Sequence, residues 1–240
     1  MQITIQLIGS PITLPIATNE SVQGLIYKAI SEDPLYSHEV HDVGLSTEGR
    51  KYKLFTFGDP VGRYSIRDRV IEYTDGLLLT VRSVDPYFIQ LLFHYFKSRK
   101  EVRLGNNTVR VGDVDLGDER IFDDCITVRT KSPITAYITE KDGHTTYFTP
   151  EDKAFYESIV SNARRKWISA YGNDEGFRLK IYPANGTRFI KRATVFKSTY
   201  ITAWHGSFVL EGEPRVLDFL YRAGIGSKNS QGFGMLELKR

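Results

Sequence analysis

Twice along these 240 residues the side chains follow the order strand, helix, strands, helix, strand, and a chain that repeats this order has few ways to bury itself. In the first half Gln2 to Ile8 alternates as a strand, and Thr18 or Asn19 caps a helix running to about Ser31 with Glu20 in its first turn. Lys51 to Phe57, Tyr64 to Tyr73 and Leu77 to Ser83 read as strands, the last two joined through a hairpin signal at Asp75-Gly76. Pro86 opens a second helix to about Ser98, and Glu101 to Val114 is extended.

The second half repeats the order. Phe122 to Thr130 is rich in β-formers, and Ile134 to Ile138 pairs with Thr145 to Phe148 around Lys141-Asp142-Gly143. Thr149-Pro150-Glu151-Asp152 starts a helix whose stripe is Phe155, Ile159, Ala163, Trp167 and Ala170, ending at Gly172. Strands follow at Phe177 to Tyr182, Arg188 to Phe196 and Tyr200 to Leu210, then a helix from Pro214 to Arg222 and a last strand from Met235. Two β-α-β-β-α-β units imply an α+β protein of tandem ferredoxin-like folds, the layout of an RNA-recognition module. Gly112 to Arg120 is the expected junction, giving domains 1–118 and 119–240.

Between the last helix and the last strand lies Gly224-Ile-Gly-Ser-Lys-Asn-Ser-Gln-Gly-Phe-Gly234. Nucleotide-binding glycine loops run strand, loop, helix, so that a helix N-terminus faces the phosphate. Here the order is reversed, which argues against a mononucleotide site. What remains is a long backbone poor in Cβ atoms, whose N–H groups and Lys228 can lie against something bulky and anionic.

Charge points the same way. The net charge is only +3, yet Phe177 to Arg240 holds eleven Lys/Arg against four Asp/Glu, a surplus of +7 that leaves the first 176 residues at −4. A basic C-terminal quarter suits an anionic partner. Lys191 and Arg192, with Arg188 and Lys197, lie along one predicted hairpin with Phe189 and Phe196 interleaved, a pattern that fits phosphate contacts with base stacking and equally a charged outer strand face. Arg164-Arg-Lys166 reads as a solvated helix face.

The single cysteine, Cys125, excludes an internal disulfide and reads as a buried structural thiol in a reducing compartment. The alternating N-terminus lacks the form of a signal peptide, and no apolar run approaches the ~20 residues that cross a bilayer, so a cytoplasmic protein without membrane contact is expected. The five histidines are scattered and none has zinc spacing with the cysteine. Neither a metal nor a cofactor is expected.

On the first helix, Val22, Leu25, Ile26, Ala29 and Ile30 share one arc, while Tyr27 falls roughly 130° from its centre. His41 follows in a short polar segment, three residues after His38, and Lys53 stands two after Lys51. From the residues alone Tyr27 is either a surface aromatic or a site residue.

The spacing Gly-apolar-Gly, five residues, Gly-apolar-Gly at the C-terminus resembles the signature loop of the CRISPR-associated repeat-processing endoribonucleases, the Cas-six type of the RAMP superfamily. Val22-Gln-Gly-Leu-Ile-Tyr-Lys-Ala-Ile30, His41 and Lys51-Tyr-Lys-Leu-Phe-Thr-Phe57 are similar to that family's N-terminal pattern. So are Ser132-Pro-Ile134, Phe155-Tyr156, Ala170-Tyr-Gly172 and Thr202-Ala-Trp-His205. The resemblance implies a metal-independent endoribonuclease that cuts CRISPR repeat RNA, with Tyr27, His41 and Lys53 as catalytic residues. His38 and Lys51 are the competing positions, and the Asp33-Pro34 turn favours His41 over His38. Implied RNA contacts are Gly224, Gly226, Ser227, Lys228, Asn229, Ser230, Gln231, Gly232 and Gly234, together with Lys191 and Arg192. Gly58 stands where the family commonly has a serine, leaving its backbone N–H as the group to meet the phosphate.

Attack by the ribose 2′-OH requires a base for its proton, an acid for the departing 5′-oxygen, and compensation of charge on the phosphorane. It yields 5′-hydroxyl and 2′,3′-cyclic phosphate ends. An imidazole, with an ordinary pKa near ~6.5, serves as acid or base at neutral pH; an ammonium supplies fixed charge; a phenol orients by hydrogen bonding. The implied partners are repeat RNA and a multi-subunit CRISPR effector complex, with the chain a monomer or a homodimer. The alternative is an inactive RNA-binding RAMP subunit that holds repeat RNA without cutting it.

Overall fold

The structure, a computed structural model, describes residues 1–40, 44–47, 49–117 and 119–239. The first half comprises β1 (Gln2–Ile8), β2 (Ile12–Pro15), α1 (Asn19–Ile30), α2 (Pro34–His38), β3 (Leu45–Thr47), β4 (Arg50–Tyr52), β5 (Phe55–Phe57), β6 (Tyr64–Arg67), β7 (Val70–Tyr73), β8 (Leu77–Ser83), α3 (Pro86–Lys97), β9 (Glu101–Leu104) and β10 (Asn107–Gly117). The second comprises β11 (Cys125–Thr130), β12 (Tyr137–Thr139), β13 (Thr145–Tyr147), α4 (Lys153–Tyr171), β14 (Leu179–Pro183), β15 (Ile190–Phe196), β16 (Thr199–His205), β17 (Ser207–Gly212), α5 (Pro214–Ala223) and β18 (Leu236–Leu238).

The principal sheets have the same antiparallel order. One runs β5-β8-β1-β10-β9 and the other β14-β17-β11-β18, so each first strand lies between the third and fourth strands of its unit. This is the tandem ferredoxin-like arrangement, with β9 as an added edge strand. In β1 the alternation buries Ile3, Ile5 and Leu7 against Val22, Leu25, Ile26, Ala29 and Ile30 of α1 and Phe88, Ile89 and Leu92 of α3. A second core gathers Val128 and Leu210 under Phe155, Ile159 and Trp167 of α4 and Val216 and Leu220 of α5.

Arg82, on β8, crosses between the two units. It is 4% exposed, donates to Gln2 Oε1 (2.7 Å), Leu236 O (2.5 Å) and the Tyr221 hydroxyl (2.8 Å), and stacks its guanidinium 3.7 Å from the Tyr221 ring centre. Burial lowers its pKa, and Tyr221 and Glu119 work against that shift. The planar fork meets carbonyl, phenol and ring at once, which a lysine could not do.

Several expectations need correction. Tyr64 to Tyr73 is a hairpin rather than one strand, because Asp68 (φ 50°) and Arg69 (φ 63°) turn the chain left-handed. Asp75-Gly76 does not close a β7–β8 hairpin: β7 pairs with β2 and β6, whereas β8 pairs with β1 and β5. Tyr200 to Leu210 divides at Gly206, β16 staying with β15 while β17 joins the main sheet. A Cβ at Gly206 would stand 2.5 Å from Phe189, so the strand passes from one sheet to the other where no side chain fits. Gly112 to Gly117 belongs to β10. The cap of α4 is Asp152 rather than Thr149, and Asp152 accepts the Thr149 N–H (2.9 Å). Cys125 is exposed, because alternation in β11 turns its neighbour Ile126 inward.

Candidate RNA-binding and catalytic site

The stripe Asn19, Gln23, Tyr27 recurs every four residues on α1, one face of the helix beside its buried arc. Its first two members hold the C-terminal loop. Asn19 donates to Gln231 O (2.7 Å) and Gly232 O (3.2 Å), and Gln23 donates to Ser230 O (2.6 Å). Nearby, the Thr56 hydroxyl of β5 donates to Phe233 O (3.0 Å). The sequence marks Asn19 only as a candidate helix cap and does not mark Gln23, although a polar residue every fourth position beside an apolar arc is the available signal for a loop anchor.

Tyr27, the third member, is half-buried with its ring edge-on to Phe55 at 6.1 Å. Its hydroxyl accepts from Lys53 Nζ at 3.0 Å. The segment expected as one strand from Lys51 to Phe57 breaks at Lys53-Leu54, between β4 and β5. Outside the ladder, Lys53 reaches α1. Lys51 is exposed on β4 and borders the same cavity.

His41 lies outside the described residues. The segments flanking it are described. Asp33 caps α2, accepting from Tyr36 N (3.0 Å), and Gly44 (φ 60°) donates to Glu39 O (2.7 Å). Val40 and Gly44 border a largely apolar cavity of about 600 Å³ together with Lys53. His38 is exposed at the end of α2.

The glycine loop is a packed piece of structure. Gly224, Gly226, Gly232 and Gly234 have φ of 82°, 68°, 84° and 73°. A Cβ at Gly232 would come within 2.3 Å of Phe57, and one at Gly234 within 1.9 Å of Ile225 O. All four are buried, with Ile225 and Phe233 each 0% exposed. The N–H groups of Gly224, Ser227, Gln231, Gly232 and Gly234 donate to Leu220, Thr135, Lys228, Asn229 and Pro133 carbonyls respectively. Those five donors are therefore committed inside the protein. Asn229 is an internal staple, 7% exposed, its amide nitrogen donating to Ile225 O (2.9 Å) and Phe233 O (3.0 Å). Ser227, Lys228, Ser230 and Gln231 form the accessible edge.

Under the loop sits Lys166 of α4, one of three residues expected on a solvated face. It is 2% exposed; Nζ donates to Gly224 O (2.5 Å), Asn229 Oδ1 (2.9 Å) and Gly226 O (3.4 Å). Burial without a carboxylate partner pulls its pKa down to about 7. Its neighbours in sequence are also engaged: Arg164 pairs with Asp174, and Arg165 donates to the Tyr52 hydroxyl (3.1 Å). Lys228, left-handed at φ 60°, has its ammonium 5.2 Å from the Tyr137 ring centre, and burial lowers its pKa too.

One cavity of about 620 Å³ joins these groups. Tyr27, Lys53, Lys166, Ser227, Lys228 and Gln231 all border it. Lys191 and Arg192 do not. They border a separate groove of about 790 Å³ with Tyr64, Ile66 and Tyr200, and Arg192 is paired with Asp59 (2.6 Å). Phe196 is 4% exposed and Phe189 packs on Phe208 at 5.4 Å, so the expected stacking role does not suit them. Tyr200, 79% exposed, is the open aromatic of that hairpin. Gly58 is buried and its N–H donates to Thr80 O (3.0 Å) within the sheet, which removes it as a phosphate ligand. His205 contacts Thr130 Oγ1 (3.0 Å). Among the described residues no cluster of three or more His, Cys, Asp or Glu could hold a metal ion, and no helix is long and apolar enough to cross a membrane.

Residues 117–238 match the family model described as CRISPR associated protein Cas6, C-terminal. A Pyrococcus furiosus protein named CRISPR-associated endoribonuclease Cas6 is 28% identical over 91% of this chain and 81% of its own length. A solved structure titled CRISPR associated protein Cas6 superposes with a TM-score of 0.80 at 25% identity, covering 100% of this chain and 99% of the other. Another, titled an RAMP protein binding different RNA substrates, has a TM-score of 0.84 at 21% identity and covers 100% of both chains.

Proposed function

The chain belongs to the CRISPR-associated Cas6 family, and we propose that it is a metal-independent endoribonuclease that cuts CRISPR repeat RNA into guide units. The observation that carries this reading is the Lys53–Tyr27 hydrogen bond of 3.0 Å at a cavity shared with the glycine loop. The named activity of the Pyrococcus furiosus relative supports it. So does the solved RAMP relative, whose title describes binding to RNA.

In this reading the RNA backbone runs along Ser227, Lys228, Ser230 and Gln231, and the scissile phosphate lies near Lys53. The ribose 2′-hydroxyl gives its proton to a base as its oxygen attacks phosphorus, the bond to the 5′-oxygen breaks, and that oxygen takes a proton from an acid. The products are a 2′,3′-cyclic phosphate and a 5′-hydroxyl. His41 serves as acid or base. Lys53 offsets charge on the phosphorane, and Tyr27 holds the lysine where that charge develops. Residues 1–118 supply the chemistry and 119–240 most of the grip.

The test is incubation with end-labelled repeat RNA in EDTA. Product with cyclic phosphate ends, abolished by His41→Ala while RNA remains bound, is the expected result. Tight binding that never yields product would replace the enzyme with an RNA-carrying RAMP subunit. Cleavage that appears only on adding a divalent cation would overturn metal independence.

A further inference from the structure

Lys166 is a buried cation whose three observed acceptors, Gly224 O, Gly226 O and Asn229 Oδ1, all belong to the glycine loop and are all uncharged. A neutral amine has two hydrogens rather than three, so losing the proton leaves one loop acceptor without its donor. We propose that Lys166 is the positioning residue of the glycine loop and that RNA binding is coupled to its protonation: the ammonium form holds the loop in the shape that receives a phosphodiester backbone, and arriving phosphate favours that ammonium form. This rests on the cavity being an RNA site.

The surroundings make the coupling strong. Lys51, Lys53, Lys197 and Lys228 border the same cavity, with the phenols of Tyr27, Tyr52 and Tyr137, and among the described residues no carboxylate does. On α4 itself, Arg165 adjoins Lys166, and at the end of α5, Arg222 is already matched by Asp218 (2.9 Å). Without RNA no described residue in the cavity's lining carries negative charge to offset Lys166, and burial pulls its pKa down to about 7. Phosphate brings negative charge close to a buried ammonium, where Coulomb attraction is less screened than between exposed charges. Proton affinity therefore rises on binding. By linkage, the complex takes up a proton above pH 7, and affinity falls as pH climbs.

The experiment measures Kd on the full chain at constant ionic strength from pH 6.5 to 9, using repeat RNA made uncleavable by a 2′-deoxy sugar before the mapped cut. For wild type, Kd is expected to weaken above pH 7 with a slope approaching about tenfold per unit. Calorimetry in two buffers of different ionisation enthalpy should register uptake of up to one proton. Lys166→Met should bind weakly and with little slope between pH 7 and 8.5. Lys166→Arg, always charged, should bind tightly and equally flatly. Lys228→Met should be weaker yet keep the slope. A flat wild-type profile with tight binding would overturn the coupling alone, as would a Lys166→Met variant that retains the wild-type slope. Absence of RNA binding by wild type at every pH would remove the functional reading as well.

Discussion

Lys53 Nζ donates to the Tyr27 hydroxyl across 3.0 Å, from the break between β4 and β5 to the outer stripe of α1. The bond ties a mobile kind of side chain to a helix that is itself anchored in the core, which is what the proposed role of Lys53 requires.

Tyr27→Phe keeps the ring against Phe55 and removes the acceptor. Single-turnover cleavage should fall by about 10- to 100-fold with RNA affinity nearly unchanged, whereas Lys53→Ala should lose about 100-fold or more. If Tyr27→Phe cleaves as fast as wild type while Lys53→Ala is inactive, the tether has no role.

The loop's shape depends on its glycines. Gly234→Ala must push a Cβ into Ile225 O from 1.9 Å at φ 73°, so a loss of at least about 2 kcal/mol is expected in urea unfolding. Gly143, also at positive φ (87°) but with open space around it, should cost about 1 kcal/mol on the same change. Equal losses would show that only φ matters.

Asn19 and Gln23 fasten the loop from the other half of the molecule. Asn19→Ala leaves Gln231 O and Gly232 O without this donor, and should destabilise by about 1–3 kcal/mol. Hydrogen exchange at residues 225–234 should quicken in Asn19→Ala and Gln23→Ala, with the first-half core unaffected. Uniform quickening throughout the chain would point to global unfolding instead.

Lys166 also sets a pH dependence of folding. Its value of about 7 lies below the ordinary lysine value, so above pH 7 the unfolded chain binds the additional proton. Stability from this group therefore rises with pH from 7 toward the ordinary value near ~10.4, and is lost as pH falls back through that window. Between pH 7 and 9 the gain is on the order of 2 kcal/mol. Urea midpoints of wild type and Lys166→Met at the two pH values test this. An unchanged difference between the proteins would mean that Lys166 keeps an ordinary lysine pKa.

The order of elements was legible because periodicity reports which face of a strand or helix is covered. It cannot report what does the covering. Val22, Leu25, Ile26, Ala29 and Ile30 were read correctly as the inner arc of α1, and Tyr27 as lying off it. Lys166 was misread because three consecutive cations look solvated by composition, while its acceptors lie some 60 residues further along the chain, 58 for Gly224 and 63 for Asn229. Cys125 was misread because alternation in β11 turns Ile126 and Val128 inward and leaves Cys125 on the outer face.

What the sequence determined by itself was the doubled β-α-β-β-α-β order, since it follows from local backbone preference and short-range alternation. The meeting of Asn19 with Gly232, 213 residues apart, and of Lys53 with Tyr27 was decided by how two sheets and their helices pack. Such contacts carry no local signal. They arise because burying both apolar faces brings one particular polar stripe of α1 against the loop, and the polar groups caught there bond to what is within reach.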